Sequence, residues 1–380
     1  MHERWATRPL KDVVGLQRGH DLPARLRRAG SVPVVSSGGR SGWHNESISD
    51  GPGVVLGRAT NLGKPYWVEG PYWPLNTTLY VRDFKGNDPR FVFNLFETLD
   101  LTGFDSGSVQ PMLNRNFIAN VPVRLPPLEE QQRIAGVLGA FDDLVEVNQE
   151  IRTKLDRKGI AIIEDMVLRQ PDLDFITLGG AARVIETGRR PHGGVRGISE
   201  GVPSIGAESI DGLGVFDFSK TKFVPADFAA QMRVGVLESR DVLIYKDGGK
   251  PGDFRPHVGM YGDGFPFTRM TINEHVYRVR AASPLTEPYL YFWLSTETSI
   301  AAMRRLGTGA AIPGLNSTAL KSIPVAIPPT NIQQRLFPAL EAFVGESLAA
   351  ASEARRLAKA RDELLPLLLS GQVQVKDVAA

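Results

Sequence analysis

The side chains of this 380-residue chain that could carry chemistry are cations in glycine- and proline-rich segments. Arg25, Arg27, Arg28 and Arg40 flank the stretch Val32-Pro-Val-Val-Ser36-Ser-Gly-Gly39, and Arg58, Asn61 and Lys64 share the loop between Gly57 and Pro65. In the second half, Arg189, Arg190 and Arg196 crowd one such segment, and Lys246 and Lys250 bracket Asp247-Gly-Gly249. Exposed Arg and Lys neutralise phosphates, and Arg can bond a guanine edge bidentately. Turns such as the one at Ser36 can bring backbone N–H groups to a phosphate. Ordinary cationic surface loops have the same composition, so both readings stand for each residue.

Catalytic constellations are missing. Gly57 to Lys64 has five residues between its glycines and Pro65 after its lysine, where a nucleotide-binding loop needs four and a Ser or Thr. Asp83-Phe-Lys85 has the Asp-x-Lys spacing of some metal nucleases, but nothing upstream completes a carboxylate cluster, which makes it a solvated strand end. The six histidines are scattered, with no pair four residues apart to hold a metal. There is no Asn/Asp-Pro-Pro-Tyr/Phe methyltransferase motif and no cysteine, which excludes a disulfide scaffold, a Cys-ligated zinc and a thiol nucleophile. The start, Met-His-Glu-Arg, is no signal peptide, and the densest apolar run, 364–369, is far too short to span a membrane. A cytoplasmic protein is expected. The net charge of +2 permits local basic patches without arguing for them.

The elements that must position these loops occur twice. Leu113-Asn114, Pro126-Pro127 and Gln131-Gln132-Arg133 recur as Leu315-Asn316, Pro328-Pro329 and Gln333-Gln334-Arg335, each 202 residues on and without a gap. Pro111/Pro313, Pro122/Pro324 and Phe141/Phe343 keep that offset. A repeat this long marks two domain-sized units. Upstream of the first joint, 32–35, 54–56 and 76–81 read as short strands, and Asp88-Pro89 starts a short helix. Their parallels are Val202-Pro203, 241–245, Asn273 with Tyr277 (for Asn76 with Tyr80), and Glu287-Pro288 before 289–294. The expected class is α+β. The globular parts have drifted while the joint kept its register.

After each joint comes a helical pattern. Ile134, Val137, Phe141, Leu144, Asn148, Ile151, Leu155 and Ile162 alternate by three and four, with Lys158 interrupting; so do Leu336, Leu340, Phe343, Ser347, Ala350, Ala354, Leu357, Arg361, Leu364 and Leu368. These predict two long helices whose seams pair antiparallel, with Asn148 setting register. Pro171 blocks continuation of the first, Pro366 predicts a kink in the second, and Gly371 is its stop. The predicted plan is a globule over 1–128, a helix over 129–170, a second globule over 171–330, a helix over 331–371 and a tail over 372–380. At 1.5 Å per residue the first helix has room for about 60 Å. Antiparallel pairing would relate the globules by a pseudo-two-fold axis and hold two readers a fixed distance apart. Duplex DNA, with half-sites spaced by turns of about 34 Å, is a matching target. A non-DNA coiled-coil adaptor, or a hydrolase with an unrecognised site, are the competing classes.

This order of elements resembles the specificity subunit of type I restriction–modification systems. The resemblance is carried by His20-Asp-Leu-Pro23, 32–39, Gly57-Arg58, Leu125-Pro-Pro-Leu-Glu-Glu-Gln-Gln-Arg-Ile134 and Leu364-Leu-Pro-Leu-Leu-Leu-Ser-Gly371, and it covers essentially the whole chain. The second joint departs at Pro329-Thr-Asn-Ile332, which lacks the acidic pair Glu129-Glu130. The resemblance implies two target recognition domains, each reading half of a bipartite site in double-stranded DNA. It implies that the helices set the spacing and bind two methyltransferase (modification) subunits, and that restriction/translocase subunits join the full complex. On this reading the chain is non-catalytic and holds no cofactor or metal; S-adenosylmethionine, ATP and Mg belong to the partners. A methylation-only or other phage-defence system is an alternative with the same helices.

Overall fold

The computed structural model describes residues 5–104, 112–170, 172–209, 212–214, 216, 218–250, 253–262, 265–307 and 313–375. The start at 1–4, Pro111, Pro171 and the tail from 376 lie outside the described residues. The chain packs as two compact units, one of residues 1–143 with 357–380, the other of 144–356.

In the first unit a four-stranded antiparallel sheet runs in the order Gly15–Arg18, Thr78–Asp83, Gly53–Gly57, Pro65–Val68. Its strand Gly53–Gly57 is buried throughout because both faces are covered. Val54 and Leu56 pack with Phe91, Val92 and Leu95 of the helix Pro89–Thr98. Val55, on the opposite face as strand alternation requires, packs with Val35, Tyr72 and Tyr80. Val35 belongs to a second sheet, Gly39–His44, Val32–Ser36, Trp73–Pro74, whose last pair is parallel. The helix starts at Asp88, whose carboxylate accepts the Phe91 N–H at 2.8 Å.

The second unit repeats this topology. Its main sheet runs Ala182–Thr187, Val276–Ala281, Val242–Tyr245, Val258–Met260, with Gly212–Leu213 added at the edge. Its small sheet is Lys222–Val224, Val202–Ile205, Thr271–Ile272. Thr286 caps the helix Glu287–Ser295. The hairpin of Gly249–Lys250 with Asp253–Phe254 and the helix Glu297–Leu306 have no counterpart among the described residues of the first unit. One expected parallel is corrected. Tyr277, opposite Ile244, matches Leu79, opposite Leu56, and Asn273, whose N–H donates to the Ile205 carbonyl, matches Leu75, whose N–H donates to the Val35 carbonyl, so Asn76 corresponds to Glu274 and Tyr80 to Arg278. The expected pairing is therefore one residue out of register along the whole stretch.

The repeated motif has a physical cause at each of its positions. Leu113 and Leu315 are fully buried, and their N–H groups donate to the carbonyls of Arg58 and Lys246 at 2.9 and 2.7 Å. Asn114 and Asn316 cap the short helices Arg115–Ile118 and Ser317–Lys321. Pro122–Leu125 then pairs with Ala6–Pro9, and Pro324–Ile327 with Asp174–Thr177. Gln131 donates to the Pro126 carbonyl at 3.0 Å and Gln333 to the Pro328 carbonyl at 2.7 Å, satisfying the turn at each helix start.

The long helices are Leu128–Arg169 and Thr330–Ser370. They are not separate domains: 128–143 and 357–370 belong to the first unit and the remainders to the second. Pairing is antiparallel within the second unit, where Arg152 and Ala351 both approach Gly214 and Lys158 lies over the Phe343 ring at 5.0 Å. In the first unit Arg361 meets Asp142 at 3.1 Å, and Ile134 and Leu138 share a core with Leu365 and Leu368. The seam of the first helix is corrected at two positions. Leu144 and Ile151 are 48% and 40% exposed, while Val145 and Arg152 turn inward. Ile134, Phe141, Asn148 and Leu155 stay on the covered face, so the three–four alternation holds with the opposite phase. Gly159 shows why: a Cβ there would lie 2.2 Å from the Phe292 ring, so this face lies directly against the second unit's core. In the closing helix Leu336 is buried and Phe343, Leu357 and Leu364 are half-buried. That helix continues through Pro366 and ends at Gly371, whose φ of 71° suits glycine.

Candidate nucleic-acid interface

The structure divides the thirteen candidate polar residues into those engaged by other described residues and those with no side-chain partner among them. In the first unit, the Ser36 hydroxyl is used inside its own turn, donating to the Gly39 carbonyl at 3.0 Å. Asn61, at φ 49°, donates to the Ser37 carbonyl at 3.1 Å. Ser37 was not singled out from sequence, yet its buried hydroxyl accepts the N–H groups of Arg58 and Ala59 at 3.2 and 3.3 Å and so shapes that loop. Arg27 is tied to the Ser41 carbonyl at 2.8 Å, and Arg28 lies 3.9 Å from Glu46 with both side chains largely exposed. Arg40 stacks over Trp43 at 4.7 Å, and that indole is 47% exposed. Arg25 and Lys64 are exposed and have no ion pair among the described residues.

Arg58 is the exception to this dispersal. It lines an open cleft of about 710 Å³ together with Arg18 and Arg115, neither of which the sequence pattern pointed to. Arg18 ends a strand just before Gly19, and a Cβ at Gly19 would fall 2.1 Å from the Leu75 carbonyl oxygen. Arg115 directly follows the repeated Leu-Asn pair, which was the available signal. Burial and the neighbouring Arg18 guanidinium hold Arg58 below the usual arginine range.

The equivalent loop of the second unit is built differently. Arg190 pairs with Glu274 at 3.1 Å, and Asp247 takes the His275 ring nitrogen at 2.7 Å. Lys246 lies 5.9 Å from the Tyr277 ring. Arg189, Arg196 and Lys250 are exposed. Thus units of one topology present different polar side chains at matching places.

No group of His, Cys, Asp or Glu that could hold a metal ion exists among the described residues. Asp83 is a turn-former, accepting the Lys85 N–H at 2.8 Å. No helix among the described residues is long and apolar enough to cross a membrane.

The profile of the type I restriction modification DNA specificity domain matches residues 2–157 and 238–354, more than half of the sequence, and the chain belongs to that family. It is 22% identical over 303 residues to the type I restriction enzyme MjaVIII specificity subunit of Methanocaldococcus jannaschii, covering 72% of this chain and 67% of that one. With the MjaIX specificity subunit of the same organism it shares 20% over 343 residues, covering 80% and 74%. The crystal structure of a type I restriction-modification system S subunit from M. genitalium has the same fold, with a TM-score of 0.58 over 97% of both chains at 16% identity.

Proposed function

We infer that the chain directs a type I restriction–modification complex to a bipartite DNA sequence, each unit reading one half and the paired helices coupling the two readings. The observation that carries this is one topology, repeated, with different polar side chains at the matching loop: Arg58 with Arg18 and Arg115 in one unit, Lys246 with Asp247 and His275 in the other. Two copies of one frame that present different side chains to DNA are suited to half-sites of different sequence, since some side chains hold the backbone while others reach base edges in the groove.

The long helices are read as the docking surface for two methyltransferase subunits. Leu144, Val147 and Ile151 are 48%, 51% and 40% exposed and lie on one face of the first helix at spacings of three and four. Such a stripe on a surface helix marks a contact site. The chain supplies recognition; S-adenosylmethionine, ATP and Mg are held by the partners, and restriction/translocase subunits complete the assembly.

The test is co-purification with the methyltransferase encoded beside this chain, followed by mapping of adenine methylation in a host with and without the chain. Methylation at a split motif that disappears with the chain is the expected result. A stable complex without methylation would favour a different defence system, and no complex with unchanged methylation would leave a protein-binding adaptor as the better account.

A further inference from the structure

The first unit contains a cleft in which three arginines face a single carboxylate. Arg18 Nε and Arg58 Nη1 both donate to the carbonyl oxygen of Asn76, at 3.3 and 3.4 Å, so two guanidinium groups converge on one acceptor. Arg115 closes the rim, its Nη1 on the Leu16 carbonyl at 3.4 Å. Asp21 is the one carboxylate in the lining; it accepts the side-chain amide of Asn76 and pairs with none of the three arginines, so the cleft keeps a net positive charge. Among the described residues none of the three arginines has an ion pair. Other arginines of the chain do find carboxylates: Arg90 with Asp142, Arg190 with Glu274 and Arg278 with Glu186. Among the described residues each cleft arginine makes one side-chain hydrogen bond to protein, with further N–H groups to offer a ligand.

A structural role does not require this arrangement. One neutral donor would satisfy the Asn76 carbonyl; here the half-buried Arg58 and the exposed Arg18 share it, and an anion would relieve the repulsion between them. The matching positions of the second unit bear this out by contrast. Lys246 corresponds to Arg58, since each carbonyl accepts the N–H of the repeated leucine. Thr187 faces Tyr277 as Arg18 faces Leu79, and Ser317 follows its capping asparagine as Arg115 does. The same backbone frame therefore stands with one cation instead of three.

We propose that the cleft of Arg18, Arg58 and Arg115 is a phosphate anchor for the DNA backbone, present in the first unit and lacking an equivalent in the second. This rests on the DNA-reading function inferred above. A volume of about 710 Å³ exceeds what a lone phosphate needs and accommodates the flanking sugars of a phosphodiester. Backbone contacts position a duplex without reading it, so the first unit supplies register and sequence-independent affinity, and the second depends more on its base contacts.

The test uses the full-length chain and a random-sequence duplex DNA pool, with affinity measured over a series of salt concentrations. Arg58→Gln and Arg115→Gln each lower the slope of log affinity against log salt by about 0.9, the value for one phosphate contact, and Arg58→Lys restores most of the loss. The methylated motif in a host is unchanged by all three. Arg115 is exposed, so its substitution leaves the fold intact even if Arg58→Gln disturbs it. An unchanged slope in both Gln variants overturns the proposal. So does a changed base preference at one half-site, which would make these arginines base readers. Inorganic phosphate is the second probe: saturable binding that Arg58→Gln abolishes while the DNA slope stays constant would assign the cleft to a free phosphate instead. If the wild-type chain binds no duplex and directs no methylation, the DNA-reading function itself fails, independently of the slopes.

Discussion

Gln131 shows how one side chain holds the sheet-to-helix joint. It is buried, donates to Asn87 Oδ1 and the Pro126 carbonyl at 2.9 and 3.0 Å, and accepts the Asp88 N–H at 3.0 Å. Gln333 is half-buried, and among the described residues its side chain bonds only the Pro328 carbonyl. Removing a buried amide leaves its partners unsatisfied at about 1–3 kcal/mol. Gln131→Ala is therefore expected to destabilise the chain by that amount in denaturant titration and Gln333→Ala by clearly less; equal losses would show that the two joints are energetically alike. Asp156 gives a pH-dependent counterpart. Burial, opposed by the Tyr291 hydroxyl at 2.8 Å and by Arg157, holds its carboxyl above the usual range. A carboxyl raised in the folded state adds stability that is fully present below the ordinary carboxylate pKa and is lost as pH rises through the raised value. Asp156→Asn keeps an acceptor for Tyr291 without the buried charge. It should match wild type in acid and exceed it at neutral pH in thermal unfolding; a difference that is the same at both pH values would rule out the buried charge as its source.

At the scale of elements, the phase of the helical seam decides which residues hold the fold. Leu348 is 0% exposed and shares the second unit's core with Leu340 and Val344, whereas Ile151 is 40% exposed. Leu348→Ala should cost about 2–5 kcal/mol. Ile151→Ser should stay within about 0.5 kcal/mol of wild type and still weaken co-purification with the methyltransferase. Normal assembly by Ile151→Ser and Leu144→Ser together would remove the exposed stripe from the docking surface. The three–four alternation was legible in the sequence, but its phase was not. Arg152 reads as an outward cation, yet its stem is covered and its guanidinium donates to the Gly214 carbonyl at 3.0 Å, a contact with a residue far away in the chain.

For the whole molecule, the division of labour predicts modular exchange. Replacing residues 172–314 with the matching segment of another family member should change one half of the methylated motif and leave methyltransferase assembly intact. Loss of assembly would place partner contacts inside the exchanged segment. The cut points lie in the turn after the first long helix and just before the repeated Leu315-Asn316, so both joints are preserved.

The sequence alone determined the duplication, the two long helices and the joint between sheet and helix, because these rest on local rules: caps, proline turns and apolar period. Asn114 and Asn316 cap the helices they precede, and Gln131 and Gln333 bond the proline turns just before them, so these residue types are dictated nearby and survive in both copies. Tertiary structure alone decided which cations stand together. Arg18, Arg58 and Arg115 come from three distant segments and meet because Gly15–Arg18 pairs with Thr78–Asp83, that strand pairs with Gly53–Gly57, and Leu113 bonds the Arg58 carbonyl. Loop composition listed Arg58 among a dozen other polar candidates and passed over its two companions. Charge clustering is a property of distance in space, and spacing along the chain does not encode it.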